Sequence, residues 1–572
     1  MDWRKARALP AWLLALAPLA CNGNGDDSAS PKVPEAAAPP APLNCGNDAG
    51  GWPMYGQNVC NTRGGTSASE PITTATVSKL KVKWTFTGAG DISATPAVVD
   101  GQVYVPDWGG NLNRIDAASG MKVWSKNVAD LIMETSGVDA GMYMAFLGMY
   151  LAPLSRSTPA VFGNNVIFGM GAPGFSATMA AVDKDTYALK WKTPLDSHEA
   201  ALITSSPAID DGVIYIGVSS GEEIATQIPG YPCCSFRGSV VALDAATGAL
   251  KWQTYMIEDS IFYKADKKTR TGYAGAAIWS GTPTIDRNRH LVYVTTGNNY
   301  AIPSGAPNPL PKEDHAEAVV ALDMATGAIK WSTRMIPKEG SVWTVANGKE
   351  PDYDFGGGAN LYQTTINGVL KDVVGAGQKS GVYWALDADN NGSTLWSTQV
   401  GPGGHLGGIH WSTAVDSKAI YVGVNDESGT AYTMGGSGPQ AGMKTSVGSW
   451  AALALDGAGG DAGIPNKGKI LWQVTNPAMT APLMGGSVNG PTTIINGVVL
   501  AGSMDAKGMM YALDAATGNI LWSFMSGASV YSGPAVVNGV VYWGVGYPSS
   551  RLGLGTSPPA GSPQLYAFDL GS

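Results

Sequence analysis

Charge is scarce in this sequence. Only 14% of the 572 residues are charged, and 36 Lys and Arg against 45 Asp and Glu leave a formal net charge of −9. Because phosphate backbones are bound by clustered Lys and Arg, this balance argues against a nucleic-acid-binding protein. After the first twenty residues the sequence also lacks any run of 18 or more apolar residues. It therefore predicts no membrane-spanning helix in the body of the chain.

Glycine and tryptophan are abundant instead. The 76 glycines are about 13% of the chain, against a usual value of about 7%. The sequence also holds 18 tryptophans. Many glycines and aromatic residues with few charges are typical of a large all-β protein with tight turns. They argue against a helical bundle and against a disordered chain.

One pattern recurs along the chain. It consists of an apolar strand, an Asp, a short turn that usually ends in Thr-Gly or Ser-Gly, and a strand that ends in Trp. Seven complete copies occur, at Asp116 to Trp124, Asp183 to Trp191, Asp244 to Trp252, Asp323 to Trp331, Asp387 to Trp396, Asp456 to Trp472 and Asp514 to Trp522. An eighth copy is divided between the two ends, because Trp84 has no Asp before it and Asp569 has no Trp after it.

The divided eighth copy predicts a closed ring. A β-propeller must pair its last blade with its first, since two sheet edges otherwise stay unpaired. We therefore predict an all-β, eight-bladed β-propeller over residues 49–572, in which the strand Leu565–Leu570 pairs with the strand near Trp84. The repeated tryptophans should pack between neighbouring blades, and the long loops on this rigid ring should carry the function.

The start of the chain has the features of an export signal. Arg4, Lys5 and Arg7 precede a short apolar stretch, and Ala20 stands before Cys21. Residues 1–20 are predicted to be a signal peptide, and residues 21–48 a flexible Pro- and Ala-rich tether. Cys21 resembles the first residue of a mature bacterial lipoprotein, although ordinary cleavage stays open. The protein is thus expected to be exported to the periplasm, with a lipid anchor as its only link to the membrane.

The other four cysteines form two pairs. Cys45 and Cys60 could close a small loop in front of the ring, while Cys233 and Cys234 are neighbours in the sequence. The neighbouring pair is interpreted as a functional disulfide, with two adjacent buried thiols as the alternative. No Cys-x-x-Cys-His motif occurs, so no covalently attached c-type haem is expected.

Taken together, the eightfold Trp repeat and the adjacent cysteines resemble the quinoprotein dehydrogenases that use pyrroloquinoline quinone (PQQ). Four stretches are most similar to the polyvinyl-alcohol dehydrogenase branch: Gly230–Gly238, Pro351–Gly356, Gly375–Trp384 and Gln399–Gly404. The resemblance implies PQQ-dependent oxidation of an alcohol or polyol, polyvinyl alcohol or another secondary alcohol. It also implies that the electrons pass to a separate acceptor, such as a cytochrome c or a quinone.

The resemblance assigns six residues to the cofactor: Cys233, Cys234, Trp279, Arg156, Lys379 and Thr204. The two cysteines, as a disulfide, would cover one face of the flat quinone, and Trp279 would stack on the other. Arg156 and Lys379 would pair with cofactor oxygen atoms, and the Thr204 hydroxyl would contact a cofactor carboxylate.

A calcium ion is implied beside the quinone, since Ca²⁺ prefers six to eight oxygen ligands. Glu222 and Asn298 match the family's metal ligands, with Glu223 as a competitor for Glu222. Lanthanide-using relatives carry an Asp two positions after the catalytic Asp, and Ala316 at that position favours calcium.

Asp314 is interpreted as the catalytic base and as a further metal ligand, because the family's catalytic Asp falls in this interval. Glu313 and Glu317 are competing carboxylates, and His315 is a less usual choice. A second function stays open, in which the ring is a non-enzymatic, membrane-tethered scaffold of the outer-membrane assembly type. That alternative accounts for Cys21 and the repeats, but for neither the adjacent cysteines nor Lys379.

Overall fold

The computed structural model describes residues 40–46, 51–65, 67, 69–131, 155–172, 175–279, 281–335, 342–344, 346, 351–457, 468–478, 488–505, 507–547 and 564–571. The chain divides into two compact units, Met1–Pro39 and Pro40–Ser572. The predicted signal peptide, Cys21 and the tether as far as Pro39 lie outside the described residues.

Within the described residues, eight antiparallel sets of four strands form the blades of a propeller, and they are numbered here in chain order. The strands of blades 1 and 2 are Ala97–Val99, Gln102–Pro106, Asn111–Asp116, Lys122–Asn127, and Ala160–Phe162, Asn165–Ala172, Phe175–Asp183, Leu189–Asp196. Those of blades 3 and 4 are Ala208–Asp210, Val213–Ser220, Ser239–Asp244, Leu250–Tyr255, and Thr284–Asp286, Leu291–Thr295, Ala318–Asp323, Ile329–Arg334. Those of blades 5 and 6 are Asn360–Ile366, Val369–Gly377, Val382–Asp387, Ser393–Gln399, and Ala414–Val415, Ala419–Val424, Ser449–Ala454, Ile470–Thr475. Those of blades 7 and 8 are Thr493–Ile495, Val498–Gly502, Met509–Asp514, Ile520–Met525, and Ala535–Val537, Val540–Gly544, Gln564–Asp569, Lys81–Thr87.

Short elements decorate this ring. The further strands are Gly64–Gly65, Ala201–Leu202, Ala274–Gly275, Asn299–Ala301, Tyr432–Thr433 and Lys444–Thr445. The described helices are the 3₁₀ turn Val77–Lys79 and the single α-helical turns Glu222–Ala225 and Asp259–Phe262.

The ring closes through its eighth blade, which is built from both ends of the chain. Strand Lys81–Thr87 pairs antiparallel with Gln564–Asp569, and Trp84 lies opposite Ala567. Both the eight-bladed fold and the predicted closure are confirmed.

The repeated tryptophans fasten each blade to the next. The indole N–H of Trp191 donates to the Ala245 carbonyl at 3.1 Å, and that of Trp472 donates to the Ala515 carbonyl at 2.8 Å. Both acceptors directly follow the Asp of the next repeat. Gly248 has a φ of 70°, and a Cβ at this position would lie 2.5 Å from the Trp191 ring. The turn therefore needs glycine for its backbone conformation and for the space the indole occupies.

A segment before the first blade crosses the centre of the ring, and we call residues 52–65 the axial strap. It forms backbone hydrogen bonds with the first strands of several blades in turn, at Val98, Val161, Ile285, Leu361, Val415 and Ile494. Arg63 is fully buried there, and donates from Nε to the Thr492 carbonyl and from Nη1 to the Tyr55 carbonyl. The Cys45–Cys60 disulfide ties the strap to the preceding residues.

Candidate active site

Lys379 lies at the centre of a buried charged cluster. It follows the second strand of blade 5, and its side chain is almost fully buried. Its Nζ is 2.7 Å from Asp354 Oδ2 and 2.9 Å from Asp352 Oδ2. Burial alone would lower the pKa of Lys379, but the charges of the two carboxylates outweigh it and raise that pKa. Burial and the neighbouring Asp354 raise the pKa of Asp352 to about 8.

Asp354 joins this cluster to Trp279 and Asn298. Its Oδ1 accepts a 2.6 Å hydrogen bond from the Asn298 backbone N–H. A Cβ at Gly297 would lie 2.5 Å from Trp279 Nε1 and 2.6 Å from Asp354 Oδ1. The glycine thus allows the indole edge and the carboxylate to approach each other. Trp279 is half-buried, and its Nε1 has no hydrogen-bond partner within the described part of the chain.

The Asn298 amide is oriented by its nitrogen. Nδ2 donates to the Asn299 carbonyl at 2.8 Å and to the Trp343 carbonyl at 2.9 Å. Oδ1 is buried and accepts no hydrogen bond from any described residue. This oxygen is therefore available to a cation.

Glu222 and Glu223 begin one short helical turn, but their side chains have different surroundings. The fully buried Glu222 carboxylate accepts hydrogen bonds from Ser235 N, Phe236 N and the Tyr231 hydroxyl. The pKa of Glu223 is raised well above its usual value by burial and then by the charge of Asp354. Glu223 Oε1 is buried without a hydrogen-bond partner among the described residues. Of the two, it is Glu223 that faces the Lys379 cluster.

Both expected cysteine pairs are disulfides. Cys233 is bonded to Cys234, which confirms the prediction for the adjacent pair, and Cys45 is bonded to Cys60. The adjacent pair lies in an outer loop, with Cys233 exposed and Cys234 half-buried.

Arg156 and Thr204 line a different cavity, which also borders Tyr55 of the axial strap and is not lined by Lys379, Asp352 or Asp354. Arg156 Nη1 donates to the Tyr547 hydroxyl at 3.3 Å, and Thr204 Oγ1 lies 2.7 Å from Ser219 Oγ. Arg156 forms no ion pair with any described carboxylate. Its charge is therefore available to an anionic ligand.

The Asp314 carboxylate does not contact Lys379 and has other partners. Its carboxylate is buried and accepts hydrogen bonds from Asn299 Nδ2 at 3.0 Å and from Ala316 N at 3.1 Å, with Arg334 Nη2 at 3.8 Å. Burial raises the pKa of this carboxyl. His315 lies 3.2 Å from Glu258. The acidic side chains that contact Lys379 are Asp352 and Asp354.

Sequence reasoning assigned no role to Asp352 and Asp354. Both belong to the stretch Pro351–Gly356, which contributes to the family resemblance but contains no predicted site residue. Their spacing of two residues was the available signal, because alternate residues of an extended segment share one side.

Comparison with known proteins identifies the family. Residues 169–402 match the model described as glucose/ethanol/alcohol dehydrogenase, β-propeller domain, and residues 67–230 and 462–547 match the model of outer membrane protein assembly factor BamB. A polyvinylalcohol dehydrogenase from Sphingopyxis sp. (strain 113P3) is 30% identical, and the alignment covers 92% of this chain and 77% of the relative. The chain belongs to the quinoprotein alcohol dehydrogenase family, in its polyvinyl-alcohol dehydrogenase branch.

Further quinoproteins are similar over most of this chain. A polyvinylalcohol dehydrogenase from a Pseudomonas species is 29% identical, with 89% of this chain and 74% of the relative aligned. The solved quinohemoprotein alcohol dehydrogenase from Pseudomonas putida HK5 superposes with a TM-score of 0.66 at 18% identity, over 91% of this chain and 80% of that one. This structural likeness supports the propeller fold alone.

Two features are absent from the described residues of this quinoprotein. Among them, no helix has both the length and the apolar character needed to cross a membrane. Within the same residues, no three His, Cys, Asp or Glu side chains form a group able to hold a metal ion. Any metal in this region would need other oxygen ligands as well.

Proposed function

We propose that this quinoprotein oxidises alcohols with PQQ as the electron acceptor, at the site around Lys379. The observation that carries the proposal is the buried Lys379 ammonium between Asp352 and Asp354, beside the indole of Trp279. Burying three ionisable side chains together is costly, and such clusters with strongly perturbed pKa values are concentrated at functional sites.

The residues of the site fit PQQ, a flat quinone that carries carboxylates. Trp279 offers an aromatic face and an indole N–H that has no partner among the described residues, and the Cys233–Cys234 disulfide would cover the opposite face of the quinone. Arg156 and Lys379 supply positive charge for the cofactor's oxygen atoms, and Thr204 supplies a hydroxyl. When bound, PQQ would supply the two-electron acceptor for the reaction.

We assign the catalytic base to Asp354 rather than to Asp314. Oxidation of an alcohol requires that its hydroxyl proton be removed as hydride leaves the neighbouring carbon. Asp354 accepts a hydrogen bond from the Asn298 N–H on one side and from the Lys379 ammonium on the other, and these contacts hold its carboxylate in place. The oxygen atoms of Asp314 are already engaged by Asn299 and Ala316.

We propose Ca²⁺ as the metal, held by Glu223, Asn298 and Asp354. Glu223 Oε1 and Asn298 Oδ1, which have no hydrogen-bond partner in the described part of the chain, are oxygen ligands of the kind that this hard cation prefers. Three protein ligands are too few for calcium, so the cofactor and water would complete its shell. Bound calcium would polarise the quinone. Glu222, the metal ligand expected from the sequence, is not included among the proposed ligands, because its carboxylate already accepts hydrogen bonds from the disulfide loop.

For the substrate we propose polyvinyl alcohol or another secondary alcohol, because the two relatives described above are named polyvinylalcohol dehydrogenases. Electrons would pass to a separate acceptor, a cytochrome c or a quinone. The proposed location is the periplasm, with a lipid on Cys21 as the membrane anchor.

The proposal is tested with metal-free protein supplied with PQQ and Ca²⁺. Reduction of an artificial electron-accepting dye is followed with polyvinyl alcohol and with small secondary alcohols. We expect alcohol-dependent dye reduction only when both PQQ and Ca²⁺ are present, and its loss on adding EDTA. A protein that binds no PQQ and reduces no dye with any alcohol would favour the scaffold of the outer-membrane assembly type.

A further inference from the structure

We propose that Glu222 is a positioning residue, whose carboxylate holds the Cys233–Cys234 disulfide over the cofactor site. The expected effect of Glu222 on PQQ binding rests on the proposed function, whereas its role in fixing the disulfide loop does not. Three groups of the disulfide loop donate hydrogen bonds to this one side chain.

The hydrogen bonds to Glu222 come from loop residues on both sides of the disulfide. Ser235 N lies 2.9 Å from Glu222 Oε1, and Phe236 N lies 2.9 Å from Oε2. These two residues directly follow Cys234. The Tyr231 hydroxyl, two residues before Cys233, lies 3.1 Å from Oε1. A single carboxylate therefore fixes where the disulfide enters and leaves its loop.

The two partners differ in how firmly the rest of the protein holds them. Glu222 is 0% exposed, and its backbone N–H donates to Ser220 Oγ at 2.8 Å. By contrast, Pro232 and Cys233 are exposed. The buried carboxylate is thus the anchor, and the exposed disulfide is the element that it restrains. Hydrogen bonds to an ionised acceptor are roughly twice as strong as neutral ones, which suits this role.

An amide in place of the Glu222 carboxylate would disrupt part of this hydrogen-bond pattern. Glutamine has the same size as glutamate, but it replaces one acceptor oxygen by an NH₂ donor. Both Ser235 and Phe236 present N–H donors to the Glu222 oxygens. One donor would therefore face another, and the loop would lose at least one of its charge-assisted hydrogen bonds. Glu222→Gln is for this reason a sharp and nearly isosteric test.

Adjacent Glu223 provides the matched control. Its carboxylate interacts electrostatically with Asp352, Asp354 and Lys379, and its Oε1 accepts no hydrogen bond from the described residues of the disulfide loop. Glu223→Gln changes the same chemical group in the same helical turn. It should affect the response to Ca²⁺ without loosening the loop.

The experiment compares wild-type protein, E222Q and E223Q after loading with PQQ and Ca²⁺. Each is exposed to dithiothreitol, free thiols are trapped at intervals, and the reduced cysteines are located by mass spectrometry. We expect Cys233–Cys234 of E222Q to be reduced about tenfold faster or more, the scale of losing a hydrogen bond to a charged group. Cys45–Cys60 serves as the internal reference, and its rate should be the same in all three proteins. PQQ should also bind more weakly to E222Q, whereas E223Q should need more Ca²⁺ for full activity.

The outcomes separate this inference from the proposed function. Reduction of Cys233–Cys234 at the wild-type rate in E222Q would overturn the role of Glu222. Equal acceleration at both disulfides would also overturn it, because that result would indicate general destabilisation. If wild-type protein binds no PQQ, the proposed function fails, but the reduction rates still decide whether Glu222 holds the loop. If E222Q does not fold, Glu222→Asp keeps the carboxylate on a shorter arm, and a smaller acceleration at Cys233–Cys234 alone is expected.

Discussion

Replacing Lys379 by methionine is expected to lower the free energy of unfolding by about 3–5 kcal/mol. The substitution keeps the apolar stem but removes the ammonium group, which lies 2.7 and 2.9 Å from two buried carboxylates. Asp354 and Asp352 are then left buried without their counter-charge. With roughly 2.1 cal/mol/K of unfolding entropy per residue, a unit of this size loses on the order of 1.1 kcal/mol for each kelvin near Tm. The predicted decrease in Tm is therefore about 3–5 °C, measured by calorimetry at pH 7 on metal-free protein without PQQ.

The matched control is Lys330→Met in the neighbouring blade 4. Lys330 Nζ lies 3.1 Å from Asp323 Oδ2, but the two side chains are 49% and 25% exposed. Ion pairs at the surface contribute about 0–1 kcal/mol, so this variant should melt within about 1 °C of wild type. If K379M and K330M melt at the same temperature, the cluster around Lys379 is not the buried charged centre described above.

Two further predictions concern the frame of the ring. Burial raises the pKa of the Glu70 carboxyl, although the N–H groups of Gly539 and Ile72 oppose this; ionisation of Glu70 therefore costs stability as the pH rises through that pKa. Glu70→Gln should accordingly raise Tm at pH 7.5. The gain in Tm should disappear near pH 4, below the usual pKa of glutamate, because Glu70 itself is then protonated. An equal gain at both pH values would refute the raised pKa of Glu70. The Cys45–Cys60 disulfide closes a loop with a sequence separation of 15. Replacing both cysteines by serine should lower the free energy of unfolding in urea by about 3 kcal/mol, and an unchanged value would show that the cross-link does not stabilise the axial strap.

The ring could be predicted from the sequence because its repeat is local. In most of the turns the Asp accepts hydrogen bonds from residues two or three positions later, as Asp244 does from Thr247 N at 2.9 Å. The following Trp stands eight residues after the Asp in five of the seven complete copies. The axial strap left no such signal, because it contacts the blades mainly through backbone hydrogen bonds, which make no demand on side-chain pattern. Its buried Arg63 was likewise invisible in the composition.

The site was only partly predictable for the same reason. Lys379 could be identified from its glycine-rich stretch. Its acidic partners, however, come from a different loop, and the spacing of residues in the sequence does not indicate which loops lie close together in the folded ring. Glu222 and Glu223 were equivalent as sequence letters. On a helical turn, however, neighbouring side chains point about 100° apart. One therefore reaches the disulfide loop, and the other faces the Lys379 cluster.

The most direct test of the central claim is the turnover of Asp354→Asn beside that of Asp314→Asn. Both proteins are loaded with PQQ and Ca²⁺, bound PQQ is quantified in the same samples, and rates are divided by the bound fraction. With Asp354 as the base, D354N should lose about 10²-fold or more in alcohol-dependent dye reduction while PQQ stays bound. D314N should keep turnover close to wild type, because Asp314 contacts Asn299, Ala316 and Arg334 rather than Lys379. Normal turnover in D354N together with a 10²-fold loss in D314N would contradict the account and assign the base to Asp314.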